Sequence, residues 1–228
     1  MHSSGGFLAK GSRRNLSSGK IDVMRLIDAN INEPSKENIL SVKFHPGGDL
    51  LLAAGEDKFM RLFKIDGDKN EKVLGVKFSE MSISNACFRN SSSSSSSGSS
   101  SGSGCDEVII SGRKPYFYTF DLRSGKSTKI PGLMGRGLKS HESMCVSPGG
   151  GKIAFAGAAG YTHICDGRTK TWFSDVKVDS PIYVCASMYC RLWSFVQMNS
   201  SVRSLAFVDE TTLLTSGLDA NVYVWDLR

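Results

Sequence analysis

Four stretches of the chain repeat one pattern of apolar runs and turns. In each, a first run ends in Phe or Val, a turn follows, a second run ends in Gly, and a third ends in an apolar residue followed by Asp. The markers are Phe44, Gly55 and Ile65-Asp66; Phe88, Gly112 and Phe120-Asp121; Val146, Gly157 and Cys165-Asp166; and Phe207, Gly217 and Trp225-Asp226. A unit this small cannot bury its apolar faces alone, so each repeat reads as one sheet of a larger stacked array.

The closing aspartates Asp66, Asp121, Asp166 and Asp226 are unevenly spaced, an irregularity traceable to two odd segments. One is the Ser/Gly tract Ser91 to Gly104, inside the first interval; the other is Val178 to Gln197, inside the last. Without them both long intervals contract to roughly 40 residues, close to the uninterrupted middle one. Short strands recurring every ~40 to 45 residues, four to a blade, are the signature of a WD-repeat β-propeller. The expected fold class is therefore all-β: an incomplete WD-repeat propeller of about four degenerate blades from a larger ring.

Within the first repeat, Ser41 to His45 alternates as a strand, Pro46 to Asp49 turns, Leu50 to Ala54 forms a second strand, Gly55 to Lys58 turns, and Phe59 to Ile65 forms a third. The second strands are apolar on both faces, as in Leu50-Leu51-Leu52, Val108-Ile109-Ile110 and Leu213-Leu214, which requires neighbours on both sides. Fourth strands are expected at Val73 to Phe78, Ser127 to Ile130 and Thr171 to Val176. The last repeat has only Leu227 and Arg228 after Asp226 and so no fourth strand. Ile21 to Ile27 reads as an outer lead-in strand. Residues 1–20 read as a flexible Ser/Gly-rich leader, and 21–228 as the partial propeller with inserts at 91–104 and 178–197.

The tract 91–104 offers nothing apolar to offset the entropy of ordering and is expected to be a disordered loop. Val178 to Gln197 carries an apolar load unsuited to a surface connection. Its Val and Gln codons permit splice-site letters at both ends and its length preserves the reading frame, so a retained intron is the expectation for it, the alternative being a real insertion that docks a partner or covers the open blade edge.

At 228 residues and 40% hydrophobic content, one β domain with a sizeable core is within reach. No apolar run approaches the roughly 20 residues that span a bilayer, and no secretory segment is evident, so the expected compartment is intracellular, with no membrane partner. The six cysteines show no CxxC spacing; Cys87, Cys145 and Cys165 fall inside strand patterns and read as reduced core residues. The net charge of +6 is spread over turns and strand edges, a solvated surface rather than a basic block.

The blade positions expected to carry structure are Asp57, Asp66, Asp121, Asp166, Asp219, Trp225 and Asp226. Asp57 and Asp219, each in Gly-x-Asp, match the WD-repeat turn aspartate whose carboxylate accepts backbone and side-chain hydrogen bonds. The middle repeats carry Lys114 and Ala159 there, and only Trp225-Asp226 spells the family dipeptide. In such degenerate repeats packing must hold the blades.

The sequence offers no catalytic constellation, and no cofactor, metal or small-molecule substrate is expected. His2, His45, His141 and His163 are dispersed and none pairs in sequence with a nucleophile. Gly149-Gly150-Gly151-Lys152 is superficially phosphate-loop-like, but Ile153 stands where a Mg²⁺-holding hydroxyl belongs and no helix follows, so it reads as a hairpin turn.

A more specific resemblance rests on Leu16-Ser17-Ser18-Gly19, Arg25 to Asn30, Pro34-Ser35, Ser41 to Pro46, Ala54 to Asp57 and Leu62 to Gly67, joined later by Ser147 to Gly150, Gly157 to Tyr161 and Lys170. In these the chain resembles the propeller of the U3 small nucleolar RNA-associated protein 18 family over most of residues 16–228. That resemblance implies a non-enzymatic scaffold in the nucleus and nucleolus, acting in small-subunit ribosome assembly and pre-rRNA processing. Its implied partners are other WD-repeat proteins of the small-subunit processome and the particle containing U3 RNA and pre-rRNA. Some family members carry an N-terminal Leu-Phe-x-x-Asp-like docking peptide; Leu62 to Asp66 fits it superficially but falls on a third strand and is expected to be buried. The competing reading is a substrate receptor of a cullin-RING ubiquitin ligase, because Trp225-Asp226-Leu227-Arg228 resembles the WD-x-R box.

Overall fold

The computed structural model describes residues 25–48, 50–67, 69–90, 106–133, 140–157, 161–173, 196–197, 202–217 and 220–228. The expectations for residues 1–20, for 91–104, for Asp219 and for nearly all of 178–197 lie outside them. Every regular element among the described residues is a strand: β1 (Ile39–Phe44), β2 (Leu50–Gly55), β3 (Phe59–Lys64), β4 (Lys72–Lys77), β5 (Ile83–Arg89), β6 (Glu107–Gly112), β7 (Tyr116–Asp121), β8 (Ser127–Pro131), β9 (Met144–Val146), β10 (Lys152–Ala156), β11 (Tyr161–Asp166), β12 (Val196–Gln197), β13 (Val202–Phe207), β14 (Thr212–Gly217) and β15 (Val222–Asp226).

These strands form four antiparallel sheets, ordered β1-β2-β3-β4, β5-β6-β7-β8, β9-β10-β11-β12 and β13-β14-β15. One register recurs in all four: Leu51 faces Phe63, Val108 faces Phe120, Ile153 faces Cys165, and Leu213 faces Trp225. That equivalence aligns the blades residue by residue. Period-2 alternation then sends neighbouring residues of a second strand to opposite faces. Leu52 and Ala54 meet Val108, Ile110 and Phe120 of the second blade; Ile109 and Phe117 meet Ile153 and Phe155 of the third; Ala154 and Ile164 meet Leu213 of the fourth. Each fully buried Leu, Ile or Phe in these junctions contributes roughly 1.5–3 kcal/mol relative to exposure.

Polar contacts pin the junctions as well. Ser41 Oγ donates to the Ala86 carbonyl at 2.9 Å and accepts from the Ala86 N–H at 3.1 Å. Asn85 Nδ2 donates to the Met144 carbonyl at 3.1 Å, and Arg89 Nη1 to the Gly150 carbonyl at 3.1 Å. Gly150 has φ of +72°, and a Cβ there would overlap the Asn90 carbonyl oxygen. Gly150→Val is therefore expected to cost about 3 kcal/mol, combining left-handed strain with a backbone clash at the second junction. Gly48, at φ +89° with open space around it, should cost only about 1 kcal/mol as Ala. Urea unfolding of both variants checks the contrast.

Two expectations need correction. Arg25 to Ile27, the described part of the expected lead-in strand, is not a strand. Two successive turns follow it, closed by Ile31 N–H to Asp28 at 3.2 Å and Glu33 N–H to Asn30 at 3.1 Å. The segment itself stands exposed, and its continuation meets the first blade, with Ala29 packed on Leu51, Ala53 and Phe63. Asn70 Nδ2 holds it at the Ile27 carbonyl, 3.0 Å away.

The fourth strand expected at Thr171 to Val176 is split. Trp172 bridges Cys165 and the Phe173 N–H donates to Ile164, but β12 completes the edge, pairing Val196 with Thr162 and Gln197 with Tyr161. An unbroken strand would place Asp175 and Val176 at those positions. The edge thus resumes much further along the chain, so the interruption falls inside the fourth strand and not after it. Strands β4 and β8 stand within a residue of expectation, and the last blade has three strands.

Candidate functional site

Asp66, Asp121 and Asp166 sit at the turns between third and fourth strands, and Asp226 ends β15. Asp66 Oδ1 accepts from the N–H groups of Lys69 and Asn70 at 2.9 and 3.0 Å, and Asp166 Oδ1 from Arg168 and Thr169 at 2.6 and 3.1 Å. Asp121 accepts from the Arg123 N–H at 2.9 Å and the Ser124 hydroxyl at 2.7 Å, donors that hold its carboxyl below the usual range, the Ser124 bond most of all. Asp226 accepts from the Arg228 N–H at 3.2 Å, and its exposed carboxylate lies 3.4 Å from Arg228 Nε. Trp225 Nε1 donates to the Thr215 hydroxyl at 2.8 Å while its ring packs into the third junction.

Asp57 differs from these in being buried. Its Oδ1 accepts from the Phe59 N–H at 3.1 Å and its Oδ2 from Arg61 Nη1 at 2.6 Å, with both side chains 6% exposed. Arg61 also reaches the Ser35 hydroxyl at 3.3 Å, lies 3.7 Å from Glu33, and stands over the Phe59 ring at 4.8 Å. A recess of about 740 Å³ opens beside it, lined by Glu33, Lys36, Lys58, Phe59, Lys77 and Ser79 among others. Arg61 was legible in the sequence only as a charge inside the apolar run Phe59 to Phe63, a pattern that calls for a buried counter-ion.

Several basic residues serve the fold. Arg89 and Lys170 converge on the Glu107 carboxylate, Lys170 at 2.8 Å, with all three side chains largely buried. Burial lowers the Lys170 pKa against the opposing pull of Glu107. Lys152 caps the carbonyls of Glu210 and Leu227 at 3.1 and 2.9 Å. On the surface Lys129 covers the Tyr116 ring at 3.9 Å and pairs with Glu80, whose carboxyl it holds below its ordinary value. These four cations are thus held in contacts of the fold.

The glycine-rich turn 149–151 does bind an anion, but an internal one. The Gly149 N–H and the Ser147 hydroxyl both donate to the Glu210 carboxylate of the fourth blade. Nothing in the local sequence pointed to Glu210, which is distant in the chain.

The histidines dispersed in sequence are partly gathered by the fold. His141 lies before β9 and is fully buried, its ring 5.4 Å from Trp172 in a stacked pose and 4.9 Å from Phe155. Both its ring nitrogens lack hydrogen-bond partners among the described residues. Burial, assisted by nearby His163, pushes its pKa down to about 4. Cys87, Cys145 and Cys165 carry free thiols, pushed up by burial to about 11, 12 and 12. Protonated, enclosed thiols of this kind are poor nucleophiles. Among the described residues no group of three His, Cys, Asp or Glu side chains could hold a metal ion, and no helix is long and apolar enough to cross a membrane. Within the Leu-Phe-x-x-Asp-like stretch, Leu62 and Phe63 are each 2% exposed on β3, as expected, whereas Lys64 and Asp66 are exposed.

Four twisted sheets packed face to face, each opened by an inner strand that meets its neighbours, form an arc of a β-propeller, and the chain is a WD-repeat protein. The family described as "WD domain, G-beta repeat" matches residues 30–64 and 189–226. Beyond the class, the chain resembles U3 small nucleolar RNA-associated protein 18. It is 37% identical to the Arabidopsis thaliana homologue of that protein over 222 residues, covering 97% of this chain and 35% of the relative. The Homo sapiens homologue is 28% identical over 88% of this chain and 30% of its own length, and the Saccharomyces cerevisiae protein 34% identical over 45% and 16%. The chain thus spans about a third of the first two relatives. Among solved structures, the computationally designed Ika4 protein superposes with a TM-score of 0.58 at 12% identity, over 86% of this chain and 95% of that one, a likeness of fold alone.

Proposed function

We propose that the chain is a non-enzymatic scaffold in small-subunit ribosome assembly and pre-rRNA processing, working in the nucleolus as part of a U3-containing ribonucleoprotein. The observation that carries this reading is the match to the Arabidopsis relative, named for association with U3 small nucleolar RNA, over 97% of the chain. The site geometry supports it. The aspartates Asp66, Asp121 and Asp166 are engaged in turns, His141 and Cys165 are buried and Cys87 and Cys145 half-buried in junctions, and the recess beside Arg61 offers charge of both signs for a protein or ribonucleoprotein neighbour. Asp57, Asp66, Asp121, Asp166, Asp226 and Trp225 act in this reading as structural positions, and Asp219 by analogy with Asp57. The partners proposed are other WD-repeat proteins of the processome and the U3 RNA and pre-rRNA particle.

The ligase-receptor reading rests on Arg228, whose side chain is 80% exposed beside Asp226 at the end of β15. Gradient sedimentation of the tagged chain from cell extract separates the two. Comigration with U3 RNA in large particles, released by RNase, is the expected result. Absence from those fractions, with capture of a cullin adaptor that Arg228→Ala abolishes, would establish the ligase reading instead.

A further inference from the structure

The chain holds two Asp-Gly steps, Asp66-Gly67 and Asp166-Gly167, each where a third strand gives way to a turn. Such a step can react with itself, because glycine has no Cβ to shield its amide nitrogen from the carboxyl carbon of the preceding side chain. Whether it does so in a folded protein depends on how firmly that nitrogen is held.

In the third blade it is held firmly. The Gly167 N–H donates to the Gly151 carbonyl at 2.8 Å, and the residue is buried. A Cβ on Gly167 would stand 2.1 Å from the Gly150 carbonyl oxygen, so the step is pressed onto the turn between β9 and β10. Freeing its nitrogen means parting two turns of one blade.

In the first blade the nitrogen's acceptor is a side chain of its own turn. The Gly67 N–H donates to Asn70 Oδ1 at 3.3 Å, a longer bond, while Asp66 Oδ1 accepts from Lys69 and Asn70 at 2.9 and 3.0 Å. Gly67 has φ of +86°, and a Cβ there would meet nothing within 4 Å, so the turn between β1 and β2 does not press on it as its counterpart presses on Gly167. These three bonds close within residues 66–70 and can open while β3 and β4 stay paired from Phe63 and Lys72 onward. An opening confined to one turn belongs to the low end of opening free energies. The bonds compared all lie inside single blades.

We propose that Asp66 is a modification site, converting to isoaspartate in the folded protein and so becoming a substrate for an S-adenosylmethionine-dependent carboxyl methyltransferase, while Asp166 is protected. The Gly67 nitrogen gives up its proton and bonds to the Asp66 carboxyl carbon; the C–O bond there breaks and its oxygen leaves as water, closing a succinimide ring. Water then adds to the ring's main-chain carbonyl carbon and breaks that carbon's bond to nitrogen. Gly67 is left attached through the former side chain, with a free α-carboxylate beside it. One water is lost and one taken up, so no oxidant or reductant is needed. The methyltransferase esterifies that carboxylate with the methyl group of S-adenosylmethionine, releasing S-adenosylhomocysteine. Conversion adds a methylene to the main chain and withdraws the acceptor of the Lys69 and Asn70 N–H groups, and Asn70 is the residue that holds the Ile27 carbonyl.

The test is to age the folded full chain at neutral pH and physiological temperature, then map isoaspartate at both steps by peptide mass spectrometry in heavy-oxygen water and by methyl transfer from labelled S-adenosylmethionine. Asp66 should accumulate at least about tenfold more than Asp166, the difference in local opening being expressed as rate. The same chain aged in urea should accumulate comparable amounts at both, which separates the effect of the fold from that of the flanking residues. Asp66→Glu keeps a carboxylate but closes the larger ring far more slowly, and should lose the methyl label at this site. Equal accumulation at the two steps of the folded chain overturns the proposal. So does a folded chain free of isoaspartate at Asp66, and so does a preference for Asp66 that persists unchanged in urea.

Discussion

Asp57→Ala is expected to lower the unfolding free energy by about 3 kcal/mol, because it leaves the Arg61 guanidinium charged and 6% exposed without its main partner. Glu33 at 3.7 Å, the Ser35 hydroxyl and the Phe59 ring remain, which places the loss at the lower end of the range for half of a buried pair. Asp226→Ala removes a carboxylate from an exposed pair, 60% and 80% accessible, and should cost at most about 1 kcal/mol. Replacing both Asp57 and Arg61, by Ala and Leu, should recover part of the loss, since no unpaired charge is then buried. Urea denaturation at one fixed protein concentration measures all three. Equal losses for Asp57→Ala and Asp226→Ala would show that burial does not distinguish the two aspartates.

Acidification should remove roughly 3 kcal/mol of stability through His141 alone. Its folded-state pKa of about 4 lies below the ordinary 6.5, so between those values the unfolded chain takes up a proton that the folded chain refuses. The contribution is fully present above pH 6.5, declines as pH falls, and is exhausted near pH 4. The cause is burial against Phe155 and Trp172 without a partner for either ring nitrogen, with His163 adding a smaller effect. His141→Phe keeps a ring in that place and cannot titrate, so its stability should change much less over the same acid range. Parallel pH profiles for the two proteins would assign the acid sensitivity elsewhere.

Much of the arc was legible from local chemistry. The runs Leu50 to Ala54 and Val108 to Ile110 announce strands buried on both faces, and the aspartates after the third strands announce turns, because a short carboxylate reaches backbone N–H groups a few positions on. The lead-in and the third blade's outer edge were misread for a common reason. Whether an extended segment becomes a strand depends on what the neighbouring edge offers, and here Ala29 packs on a sheet face and Asn70 holds the Ile27 carbonyl, whereas a strand needs an edge. Along β11 the edge was taken first by Trp172 and then by Val196 and Gln197.

The sequence by itself determined the repeat, the strand period and the places where the chain must turn, since each rests on interactions among residues close in the chain. Tertiary structure alone decided which charges are structural and which are not. Asp57 and Asp226 are the same side chain, each accepting the backbone N–H two residues on, yet one is enclosed with Arg61 and the other stands in water. Glu210 finds the Gly149 turn, and His141 finds Trp172 and the vicinity of His163, only because blades stack. Burial sets the cost of a charge, and burial is a property of the packed junction that no local stretch of sequence carries.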